Sequence, residues 1–145
     1  MSFLTPLAAA ILPFVIWPIE LLLPYPYIIE EVAKGILIAF VINLPGRVNQ
    51  AKIVLASAVL FTLSETVLYM LNISLVGNLS TLLTRFILTT LLHSLTMLII
   101  LIFSFKHKWL MPAGVAAAML IHYFYNLSIA KISSSALDRQ VASYA

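Results

Sequence analysis

Five apolar stretches, each near the length that crosses a bilayer, follow one another with only short polar breaks. They run over about Phe3–Leu23, Ile28–Leu44, Ile53–Leu71, Leu82–Phe105 and Leu110–Ala130, and a spanning helix needs about 20 mostly apolar residues. Charged side chains make up 9% of the 145 residues, where a soluble domain carries about 25%. Too little polar surface remains to coat a soluble globule. The pattern predicts an all-α polytopic membrane protein, with about five transmembrane helices around a polar intramembrane cavity. Residues 1–131 read as a single transmembrane domain and 132–145 as a short polar tail.

The breaks between stretches carry turn chemistry. Pro24, Tyr25, Pro26 and Tyr27 form a rigid turn with two interfacial tyrosines, and Pro45 and Gly46 end the second stretch. Arg47–Lys52 and Asn72–Ser80 read as polar loops, and Lys106–Trp109 as a basic turn. Met1–Phe3 supplies no basic side chain before the first apolar run, which therefore reads as a retained span and not a signal peptide. With five spans, the N-terminus shares a face with Arg47, Lys52, Lys106 and Lys108. The positive-inside rule puts that face in the cytoplasm of a multi-pass protein of the cell membrane. No cysteine is present, which excludes disulfides, thiolate metal sites and cysteine nucleophiles. The net charge of +3 forms no basic run, so nucleic acid is not an expected partner.

Against this background the ionisable residues stand out. Three of the five acidic residues, Glu30, Glu31 and Glu65, lie in or at the edge of spans, and His93 and His122 lie deep inside two others. A charge at the bilayer centre costs about 2.5–3.5 kcal/mol on insertion scales, so these groups must face each other, water or a metal. At a rise of about 1.5 Å per residue, Glu65, His93 and His122 lie roughly 10, 16 and 14 Å from span ends that share the outer face. Glu30 and Glu31 enter from that face too. Helical spacing places His122 with Asn126, Phe61 with Glu65, and Arg85 with Thr89 and His93. Glu30 and Lys34 are an i, i+4 pair of opposite sign, which leaves Glu31 unmatched. Glu20, near a span end, can reach water and is left out of this set.

Such a set suits hydrolysis. Glu30 or Glu31 can act as base, His122 and Asn126 can donate to an oxyanion, and His93 and Glu65 can hold a water between them. Glu65, His93 and His122 also form a two-histidine, one-carboxylate set of the catalytic zinc type. The residues alone leave zinc-dependent and metal-free hydrolysis both open.

The same residues resemble a known family. Glu30, Glu31 and Lys34 resemble the EExxK motif of the PrsW intramembrane proteases, and Phe61 with Glu65 their FxxxE motif. Arg85 with His93 resembles the third motif, and His122 with Asn126 the fourth, HxxxN. The CAAX-protease and bacteriocin-processing (ABI) group has a similar order of motifs; Lys34 and Glu65 favour the PrsW side. The resemblance implies an endopeptidase acting on membrane-anchored protein or peptide substrates. Glu30 would be its base, Glu31 a supporting carboxylate, and His122 and Asn126 the oxyanion donors. Glu65 and His93 would complete the water or metal site, with Lys34 and Arg85 in support. Two other readings compete: a scaffold that binds partner transmembrane helices through these polar groups, and a small proton-coupled transporter. The absence of an internal repeat speaks against the transporter.

Overall fold

The structure, a computed structural model, describes residues 4–73 and 79–142. Those residues form five long helices: α1 (Leu4–Glu20), α2 (Pro26–Val41), α3 (Arg47–Ile73), α4 (Leu79–Lys106) and α5 (Met111–Ala142). A one-turn 3-10 helix, Lys108–Leu110, joins α4 to α5. There is no strand among the described residues. Among the described residues, three segments are long and apolar enough to cross a membrane: Arg47–Met70, Leu82–Lys106 and Lys108–Lys131. At about 1.5 Å per residue, α1 and α2 reach only about 25 Å, a little short of the roughly 30 Å hydrocarbon core. α5 continues as helix past Ala130, where the sequence suggested a tail.

α3 starts earlier than its polar first turn suggested. Arg47–Lys52 is helix, not loop. Gly46, at φ +81°, makes the reversal after Pro45. Gln50 then donates its side-chain amide to the carbonyls of Ile42 (3.2 Å) and Leu44 (2.5 Å). This satisfies acceptors at the end of α2 that would otherwise have no partner. Lys108 bonds Asn43 at 3.1 Å, and the Arg47 guanidinium lies over the Phe105 ring. The α2–α3 and α4–α5 turns therefore meet at one end of the bundle. Of the segment 72–80 read as a loop, residues 74–78 and the Asn72 side chain lie outside the description.

α2 is the central element and touches each of the other four helices. Its C-terminal half packs Ile38 and Val41 against Val54, Ala58, Met97, Ile100 and Ala118. Its other apolar side packs Ala33 and Leu37 against Ala9, Ile16 and Phe61. Small residues set the helix spacing, as membrane packing requires. A Cβ on Gly35 would lie 2.8 Å from Val115 Cγ2, so α2 and α5 meet at close range. That contact is one helical turn from Glu31, and it brings Glu31 beside His122. Buried hydroxyls of Ser57, Thr62 and Ser104 bond carbonyls four residues back in their own helices, which suits an interior without water. Ser64 instead bonds Ala10 O at 2.5 Å and ties α3 to α1.

Candidate functional site

The N-terminal half of α2 carries the centre. Glu31, Lys34 and His93 are 0% exposed, and His122 is nearly as buried. Lys34 Nζ lies 2.7 Å from Glu31 Oε1, 2.7 Å from His93 Nδ1 and 3.8 Å from Glu30 Oε2. Lys34 keeps the i, i+4 pair with Glu30 as a longer contact but pairs most closely with Glu31, at i, i+3, so Glu31 is not left unmatched. The long Lys34 stem lets the ammonium turn inward to the more buried carboxylate. His122 Nδ1 donates to the same Glu31 oxygen at 2.8 Å.

Donor counting fixes the proton arrangement. An ammonium can only donate, so His93 Nδ1 accepts from Lys34. His93 Nε2–H then donates to Glu65 Oε2 at 2.7 Å. At that distance His93 and Glu65 bond directly, so the water expected between them has no room. His93 also meets Phe61 and His122 edge-on. Glu65 lies 3.9 Å from Arg85, whose guanidinium stacks at 3.3 Å over the Tyr69 ring.

Glu30 and Glu31, expected to enter together from one face, have different surroundings in the structure. Glu31 is sealed inside with Lys34, His93 and His122. Glu30 and Glu65, with side chains 12% and 19% exposed, face a cavity of about 270 Å³. Its wall includes Phe61 and Tyr69 from α3, and Pro13, Trp17 and Glu20 from α1. Glu20 is the residue that sequence reasoning missed. Its position near a span end suggested contact with water, but its Oε1 is buried without a hydrogen-bond partner. Asn126 is exposed, one turn beyond His122 on α5.

The expected metal set also changes. Glu30, His93 and His122, not Glu65, His93 and His122, each offer a ligand atom within 4.8 Å of one another. Glu65 is taken up by His93 Nε2. The residues present fit a divalent cation in donor type, with two imidazoles and one carboxylate. Glu30 Oε2, moreover, is a buried acceptor without a hydrogen-bond partner.

A bundle of apolar helices around a sealed network of carboxylates, imidazoles and an ammonium defines an integral membrane protein of the helical, intramembrane-site class. Within that class the chain belongs to the PrsW family: the model for PrsW family intramembrane metalloproteases matches residues 23–144. It is thus an intramembrane protease, a hydrolase whose substrates are peptides or proteins. The match takes in α2 to α5 and leaves out α1. Comparison with curated proteins and with solved structures gives no match.

Proposed function

We propose that the protein is an endopeptidase that cleaves membrane-anchored substrates at a centre built from α2, α3, α4 and α5. The observation that carries this reading is the convergence of ligand atoms of Glu30, His93 and His122 within 4.8 Å of one another, with Glu30 also lining the cavity. Glu30 is the base: it borders both the cavity and the imidazoles, and its Oε2 accepts no hydrogen bond. Glu31 and Lys34 are the buried pair that fixes His122 and His93 in position. Donation of Nδ1–H to Glu31 leaves His122 Nε2 for the site, as a ligand or, once protonated, as an oxyanion donor. Asn126 supplies an amide donor one turn away. Glu65 orients His93 through Nε2–H, and Arg85 anchors Glu65 at the cavity wall.

Glu30, His93 and His122 are the residues that would hold a divalent metal, which when bound supplies Lewis acidity and a more acidic water. α1 and α2 complete five spans. The joined basic turns mark the cytoplasmic end with the N-terminus, in the cell membrane, so the cavity faces outward. The order of the motifs supports kinship with the CAAX-protease and ABI group.

The test is cleavage of a membrane-anchored reporter by protein reconstituted in liposomes. Glu30→Gln keeps the shape and removes the base, so the rate should fall by about 10²–10⁴-fold. Cleavage at the unaltered rate would remove Glu30 from this role.

A further inference from the structure

We infer that Lys34 is the resident cation of this centre, and that its ammonium competes with a divalent metal for the Glu30–His93–His122 set. The inference rests on the assignment of those three residues as the reactive centre. Lys34 Nζ is fully buried and lies 2.7 Å from His93 Nδ1 and 3.8 Å from Glu30 Oε2, two members of the donor set. Both nitrogens of His93 are occupied, Nδ1 by Lys34 and Nε2 by Glu65. An ion bound by His93 must therefore displace one of them. Displacement at Nε2 would strip Glu65 of its hydrogen bond and leave the ammonium on the other nitrogen of the same ring. Displacement at Nδ1 requires the ammonium to move away. Either way the metal meets a positive charge held at short range in a poorly screened interior. Lys34 thereby sets how tightly the centre takes a metal, and it holds the carboxylates and imidazoles together when none is bound.

The experiment is calorimetric titration of zinc alone into detergent-solubilised protein. Lys34→Met by itself strands the buried Glu31 carboxylate and can fail to fold. The informative variant is Glu31→Gln with Lys34→Met, which keeps Glu30, His93 and His122. It removes one charge of each sign, so the net charge of the cluster matches the wild type and a gain in affinity reports the local ammonium. The double variant should bind one zinc at least about tenfold more tightly than the wild type. Adding Glu30→Gln should abolish that gain. The wild type should melt at the same temperature with and without a chelator, and the zinc-loaded double variant should lose stability on chelation. Equal affinity in wild type and double variant, or a gain that survives Glu30→Gln, would overturn the inference. No cleavage is read, so failure here and failure of the protease assay are separate results.

Discussion

The Glu31–Lys34 pair offers a stability test that the geometry makes quantitative. Lys34→Met leaves the Glu31 carboxylate fully buried with only His122 as donor. Removing one partner of a buried pair costs about 3–5 kcal/mol. Glu31→Gln keeps an acceptor for His122, and it leaves the ammonium on His93 and near Glu30, so its cost should be nearer 1–3 kcal/mol, that of a weakened charged hydrogen bond. Changing both removes the stranded charges. What remains is the lost donor to His93 Nδ1, about 1–2 kcal/mol. The double-mutant cycle should therefore return a coupling of at least about 2 kcal/mol. The assay is reversible unfolding in mixed micelles with a chelator present, followed by helical circular dichroism for all four proteins. If the two single costs simply add, or if Lys34→Met costs less than about 1 kcal/mol, the ammonium does not hold the centre together and the argument fails.

Three further outcomes follow from other parts of the molecule. Asn126→Ala, at an exposed position, should lower kcat by about 10²–10³-fold as a lost oxyanion donor; its unfolding midpoint in the same micelles should stay close to wild type. Gln50→Ala should cost about 1–3 kcal/mol, because the carbonyls of Ile42 and Leu44 both lose their donor; amide exchange near the α2–α3 turn should accelerate with it. At Gly114 a Cβ would sit 3.0 Å from Ile100 Cα and Phe103 Cβ, so Gly114→Val should push α4 from α5 and cost about 1–3 kcal/mol, read as a lower unfolding midpoint.

Much of the architecture was legible because a bilayer forces long apolar helices, and such helices advertise any ionisable residue within them. That such residues must face one another was legible too: Glu31, Lys34, Glu65, His93 and His122 form one network across four helices. What the spacing could not carry is reach across helices. The i, i+3 and i, i+4 partners of Lys34 look equivalent on a helical wheel; the packing of α4 and α5 decides that Glu31 is sealed in and Glu30 faces the cavity. The same packing exchanges Glu65 for Glu30 beside the two imidazoles. Arg47–Lys52 read as loop because its polarity is unusual for a membrane helix, whereas Gln50 uses that polarity to cap α2. Glu20 falls outside the expected set because a carboxylate at a helix end normally finds water; in the fold it lines the cavity, with Oε1 buried and without a hydrogen-bond partner.

The central place of α2 has a consequence for biogenesis. Its 16 residues carry Glu30, Glu31 and Lys34, a combination that the insertion machinery would resist as three separate charges, at about 2.5–3.5 kcal/mol each near mid-bilayer. Glu31 and Lys34 stand one turn apart on the same helix, so they can neutralise each other before any neighbour arrives. On the proposed five-span reading, α2 thus enters the lipid with Glu30 as its one surplus charge. The imidazoles of α4 and α5 are made later in the chain, and only their arrival completes the nest around it. The helix that carries the proposed base is therefore least at ease in the membrane until α5 has been synthesised, which couples competence for chemistry to the arrival of that helix.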